Sequence, residues 1–137
     1  MSCVFCDKGL LKDNFQHRIV KQRYSTAILH INQFYYGRAL VIFNQHEEDL
    51  SNLKEFERKD FWEEAIEVGL TVQKATEADR INYALLGNRE YHLHWHVIPR
   101  YINEPNFTTT PWHNEGEKTL SEPEMQNLIR TIRNNLE

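Results

Sequence analysis

No stretch of the chain comes near the ~18–20 consecutive apolar residues that a membrane-spanning helix needs. A basic stretch is also missing. The 16 Lys+Arg are scattered among 20 Asp+Glu for a formal net charge of -4, whereas binding a nucleic-acid backbone requires clustered cations. Membranes and nucleic acids are thus excluded as expected partners. Glycine (5) and proline (4) are sparse, and no repeat, low-complexity tract or Pro/Gly-rich hinge divides the sequence. Residues 1–137 are therefore expected to form a single domain, long enough to bury a core without disulfides. The stretch Met1–Asp7 lacks the basic and apolar regions of a secretory signal, which predicts a cytoplasmic protein. Its two cysteines are then expected as thiols or metal ligands. Composition is otherwise ordinary for a globular chain, at 40% hydrophobic and 26% charged. The informative quantity is the count of seven histidines.

Coarse patterning gives the architecture. Gln16–Gln22 and Thr26–Ile31 are strand-like, and Tyr36–Phe43 reads as a buried strand entered at Gly37, with Asn32–Tyr35 as a hairpin-length turn. From Phe56 to Ala78, residues Phe61, Ala65, Val68, Val72 and Ala75 mark one stripe of an amphipathic helix. Trp62 and Ile66 broaden that stripe, while Glu63, Glu64, Glu67 and Lys74 are expected outside. Ile81–Leu86 and Tyr91–Tyr101 read as two antiparallel strands joined through Gly87–Glu90. Residues 102–120 are polar and expected as a surface loop. Ser121 and Glu124 have capping-box spacing, and Met125, Leu128, Ile129, Ile132 and Leu136 form the stripe of a closing helix. The expected class is α+β: an antiparallel sheet of about five strands with one long helix and a C-terminal helix.

The sharpest feature is His92-Leu93-His94-Trp95-His96-Val97. In a strand, side chains alternate between faces, so His92, His94 and His96 share one face. Leu93, Trp95 and Val97 share the other and are expected under the long helix. Pro99 removes a ladder donor, placing this strand at an edge or ending it there. Three imidazoles on one face allow a three-histidine metal site, a nucleophile with helpers, or only a solvated strand. Cys3-Val4-Phe5-Cys6 has the spacing of a zinc half-site. A thioredoxin-type redox pair would sit in a βαβ pattern, which is not found here.

His92-Leu93-His94-Trp95-His96-Val97-Ile98 matches the pattern His-φ-His-φ-His-φ-φ, with φ apolar. With Pro99-Arg100-Tyr101, Gly37-Arg38-Ala39-Leu40-Val41-Ile42, His46, Leu50, Leu53 and the Cys-x-x-Cys pair, the sequence resembles the histidine triad (HIT) family over roughly residues 3–112. The resemblance implies a HIT-like fold and hydrolysis at the α-phosphate of a small-molecule nucleotide, such as a dinucleoside polyphosphate (diadenosine tetraphosphate, for example) or a nucleoside phosphoramidate. His94 would be the nucleophile that carries the nucleotidyl group, with His92 and His96 assisting. Uridylyltransferase relatives carry His-Pro-His at this place, so Trp95 points to a hydrolase rather than a transferase. An adaptor that keeps the fold and binds nucleotide without turnover is the alternative.

The resemblance also implies roles outside the triad. Asn88 is a phosphate donor, Asn32 lies near the ribose position, and Trp112 lines the site. Cys3, Cys6, His46 and His92 form a closed Cys₂His₂ set for structural zinc; no organic cofactor is expected. A homodimer is implied as well. Of the remaining histidines, His17 reads as surface, His30 as cross-strand packing, and His113 carries no assignment beyond following Trp112.

Overall fold

The computed structural model describes residues 2–113 and 115–136. Five strands form one antiparallel sheet in the order β1-β2-β3-β5-β4: β1 (Arg18–Lys21), β2 (Ser25–Leu29), β3 (Ala39–Phe43), β4 (Arg80–Ala84) and β5 (His94–Arg100). The helices are a short α1 (Val4–Asp7), the long α2 (Glu55–Thr76) and the C-terminal α3 (Glu122–Arg133). The α+β class and the element order agree with the expectation from sequence; α1, a single turn, went unforeseen.

β2 and β3 are buried along their whole length, as expected of strands with neighbours on both sides and layers on both faces. On one face, Ala27, Leu29, Val41, Phe43, Leu93 and Val97 join Phe61, Ala65, Val68 and Val72 of α2 and Met125, Leu128, Ile129 and Ile132 of α3 in the main core. The predicted helical stripe thus meets the predicted strand face. Gly69 lets α2 approach β4, since a Cβ there would lie 2.1 Å from the Tyr83 Oη. On the opposite face a smaller cluster of Cys3, Phe5, Ile28, Leu40 and Ile42 places the N-terminus beside the histidines.

Several expectations are corrected. β5 lies inside the sheet between β3 and β4, so Pro99 is not on an edge strand, but the strand does end beside it, at Arg100. The Leu93 carbonyl accepts from Phe43 N, and by strand parity Pro99 faces the same side. β3 has already ended at Ala39, opposite Val97, so the missing N–H leaves no ladder bond unmade. β5 begins at His94, and the link from β4 runs over residues 85–93, longer than the four-residue turn expected. Leu136 lies beyond α3, whose buried stripe stops at Ile132. The capping box at Ser121 and Glu124 is present. Glu64 does not face outward: its carboxylate accepts from Tyr24 N at 3.1 Å and from the Ser25 hydroxyl.

The 102–120 segment is more than a surface loop. Arg100, 1% exposed, gathers it by donating to Glu104 (3.0 Å), Asn82 (2.7 Å) and the carbonyls of Asn106 (2.7 Å) and Thr109 (3.1 Å). The Tyr35 hydroxyl donates to the Pro111 carbonyl at 2.6 Å. The next residue is Trp112, which is thereby held over the end of the sheet.

Candidate functional site

The face of the sheet opposite α2 is the floor of a cleft of about 590 Å³. Across it, β3 and β5 pair Leu40 with His96 and Ile42 with His94, so both imidazoles rise from the centre of a rigid sheet. Phe5 packs edge-on against His94 at 4.8 Å between ring centroids, and Trp112 packs edge-on against His96 at 5.2 Å. The two imidazoles lie 5.0 Å apart.

Hydrogen bonding fixes the state of each ring. His94 Nδ1 lies 2.6 Å from the His92 carbonyl oxygen. A carbonyl only accepts, so Nδ1 carries the proton and the Nε2 lone pair is free. His96 Nδ1 lies 3.4 Å from Arg38 Nη2. A guanidinium only donates, so this Nδ1 accepts and Nε2 keeps its proton. The neighbouring imidazoles are thus in opposite tautomers, one with a lone pair and one with a donor at Nε2. Burial lowers the pKa of His94, and burial together with His94 and Arg38 lowers that of His96 to about 3. Both rings are neutral around pH 7.

His92 serves a second centre. Its Nε2 lies 2.8 Å from the Phe43 carbonyl and so donates to it, leaving the Nδ1 lone pair to face the N-terminus. That Nδ1 is 3.4 Å from Cys3 Sγ, 3.5 Å from Cys6 Sγ and 3.2 Å from His46 Nδ1. His46 Nδ1 is also 3.5 Å from Cys6 Sγ, and all four ligand atoms lie within 4.8 Å of one another. Tetrahedral zinc with ordinary bond lengths would separate two nitrogens by about 3.3 Å and a nitrogen from a sulfur by about 3.6 Å. The separations of 3.2–3.5 Å around His92 Nδ1 and His46 Nδ1 match that geometry. His46 Nε2 faces Glu48 Oε2 at 3.5 Å, so each imidazole has an oxygen acceptor behind the nitrogen turned away from the cluster, the arrangement that orients metal-binding histidines.

The other positions singled out in the sequence are brought together unequally. Asn88, Asn32 and Trp112 all line the cleft with His94 and His96. Asn88 is exposed on the 85–93 connection. Asn32 is largely committed elsewhere: its Oδ1 accepts from Phe34 N and Lys118 N, and its Nδ2 donates to the Gly116 carbonyl. It fastens the 116–118 segment to the rim. His30 lies across from Arg38, whose carbonyl accepts from His30 N at 2.9 Å, and it also lines the cleft; its Nδ1 accepts from Asn32 N, and its pKa is lowered to about 4 by burial and by Arg38. His17 is not at the surface either: it is 5% exposed and sits 2.9 Å from the Glu122 carboxylate. Sequence reasoning missed Arg38 and Glu115 as cleft residues. Arg38 occupied a matched segment without a role, and Glu115 lay in a polar stretch without periodicity.

A profile described as the HIT domain matches residues 12–103. The chain belongs to the HIT family. An uncharacterised HIT-like protein of Borreliella burgdorferi is 29% identical over 115 residues, spanning 74% of this chain and 78% of the relative. Among solved structures, a zinc-bound histidine triad protein from Mycobacterium smegmatis is similar with a TM-score of 0.71 and 23% identity, covering 98% of this chain and 93% of that one. A diadenosine triphosphate hydrolase from Plasmodium falciparum, solved with cyclomarin A, is similar with a TM-score of 0.69 and 15% identity, covering 88% of this chain and 76% of that one. At these identities the structural likeness speaks for the shared HIT fold.

Proposed function

We propose that the protein is a nucleotide hydrolase that cleaves at an α-phosphate through a nucleotidyl intermediate on His94. The observation that carries this reading is the 2.6 Å bond from His94 Nδ1–H to the His92 carbonyl, which leaves Nε2 as a free lone pair at the cleft floor. As Nε2 forms a bond to the α-phosphorus, the bond from phosphorus to the leaving group breaks and the leaving group departs with its electron pair. The imidazole becomes positively charged, and the His92 carbonyl accepts a stronger, charge-assisted hydrogen bond from Nδ1–H. His96 Nε2–H is placed to donate to a non-bridging phosphoryl oxygen as negative charge gathers there. Water then attacks phosphorus, the N–P bond breaks, and nucleoside monophosphate leaves with His94 neutral again.

Asn88 supplies a further donor for phosphate, Trp112 closes the cleft over the nucleoside, and Asn32 sits at its rim. The diadenosine triphosphate hydrolase with the same fold supports substrates of the dinucleoside polyphosphate class. Nucleoside phosphoramidates offer the same phosphorus with a different leaving group.

Cys3, Cys6, His46 and His92 are the residues that would hold zinc. With four protein donors such an ion would be structural: Cys3 and Cys6 would be tied through it to the start of β5, and His92, whose carbonyl orients His94, would be held in place. The zinc-bound mycobacterial structure supports this choice of metal. A homodimer is part of the same reading: β4 is a sheet edge, and Trp62, 36% exposed, packs there edge-on against Tyr83 and tilted against Trp95. No described helix is long and apolar enough to cross a membrane, and a cytoplasmic location fits two reduced cysteines. The test is turnover of a panel of dinucleoside polyphosphates and adenosine phosphoramidates. Wild-type protein should release nucleoside monophosphate and His94→Ala should not; equal turnover by the variant would end the assignment. Nucleotide binding without any turnover would favour the adaptor alternative.

A further inference from the structure

The cleft that would receive a phosphate is lined by Glu90, Glu115 and Glu117, against Arg38 and Arg89. Of the two arginines only Arg38 is buried, at 4% exposure, on the floor beside His96. Its backbone is pinned from both sides: its N–H donates to the Tyr35 carbonyl at 3.0 Å, and its carbonyl accepts from His30 N and the Gln33 amide. Its guanidinium is incompletely served. Nη1 donates to the Glu115 carboxylate, Nη2 donates weakly to His96 at 3.4 Å, and the buried Nε has no partner. A buried cation with one carboxylate partner and an unused donor is an expensive arrangement for stability alone. Its geometry is that of a fork presented to a bidentate oxyanion.

Glu115 holds one arm of that fork, Nη1, from a different kind of position. It belongs to the segment after Trp112, anchored beyond it through the Asn32–Gly116 and Gln33–Lys118 bonds, and its side chain is 20% exposed. The carboxylate can therefore reach solvent when released, whereas Arg38 cannot follow it.

We propose that Arg38 is the receptor for a phosphate oxygen of the substrate and that Glu115 is its resting counter-ion, displaced when the phosphate enters. This rests on the reading of the cleft as a nucleotide α-phosphate site. One oxyanion replaces another on the same guanidinium, so the buried charge is never left bare, and a ligand without phosphate has nothing to exchange. Glu115 thereby makes the cleft selective for ligands anionic enough to compete.

The experiment is calorimetric binding of adenosine monophosphate and of adenosine to wild type, Glu115→Gln, Arg38→Gln, Arg38→Lys and the double variant Arg38→Gln/Glu115→Gln, each checked for folding by circular dichroism. Glu115→Gln should bind the monophosphate about tenfold tighter, as expected when a competing charge partner is removed, with adenosine unchanged. Arg38→Gln should weaken the monophosphate by a similar factor, Arg38→Lys by less, and adenosine by neither. In the Arg38→Gln background, Glu115→Gln should bring no gain. Unchanged monophosphate affinity in Glu115→Gln would overturn the proposal. So would a gain that persists in the double variant, because Glu115 would then act by general repulsion. If wild type binds the monophosphate and hydrolyses substrate while the variants give either result, this proposal fails and the hydrolase reading stands. Wild type that binds neither ligand overturns both.

Discussion

Replacing Arg100 by methionine perturbs the site without touching the cleft floor. Arg100 is 1% exposed and makes its hydrogen bonds to Glu104, Asn82 and the carbonyls of the 106–109 turn. Methionine fills much of the space but leaves the Glu104 carboxylate, 16% exposed, without its cation, and the turn carbonyls without donors. Breaking a buried pair from one side costs about 3–5 kcal/mol. For a domain of this size that is a fall in Tm of roughly 10–20 °C. Guanidinium unfolding should show a lower midpoint at nearly unchanged m-value, since the sheet and both long helices remain. Arg100→Lys keeps the charge but not the fork and should lose about half as much. The same substitution loosens the segment leading to Trp112, so KM for nucleotide substrate should rise more than kcat falls. A methionine variant within about 1 kcal/mol of wild type, with unaltered KM, would refute the claim that this network holds the loop over the cleft.

Three further outcomes are expected. Cys6→Ala should lower bound zinc from one equivalent per chain to a small fraction in elemental analysis and reduce Tm, because the removed thiolate is one of four donors; zinc at one equivalent in this variant would contradict the ligand set. Trp112→Ala should raise KM about tenfold while stability changes by about 0.5–1.5 kcal/mol, the worth of an edge-on aromatic pair; unchanged KM would remove Trp112 from the site. The pH dependence has a definite sign: His30 and His96 have folded pKa values of about 4 and about 3, below the ordinary value of about 6.5. The unfolded chain therefore binds more protons between those values, so stability is fully present above about 6.5 and is lost as pH falls toward about 4. Urea unfolding at fixed pH values should show that slope in wild type and a shallower one in His30→Gln; equal slopes would contradict it.

Much of this architecture was legible because one-dimensional patterns carried it. Apolar spacing in α2 and alternation in β5 are properties of neighbouring residues, and they meet in the core as Val68, Val72 and Val97. The Cys-x-x-Cys pair and the histidine alternation were legible for the same reason, although His92 lies just before β5 and turns its Nδ1 toward the cysteines. What stayed hidden depends on long closures. His17 bonds to Glu122 and Glu115 reaches Arg38, contacts that no local pattern encodes. Glu64 looked like an outward helix residue until its carboxylate met the β1–β2 turn. Pro99 left an edge and an end of the strand both open, and the end is what is found, because a missing donor matters only where a neighbouring strand still asks for one.

The most direct measurement is rapid mixing of the protein with a dinucleoside polyphosphate, quenching into base, and mapping of any nucleotidyl group by mass spectrometry. The account predicts transient modification of a single residue, His94, that forms before monophosphate appears and is absent in His94→Ala. Turnover with no adduct at His94, or an adduct on His96 or His92 instead, would contradict it.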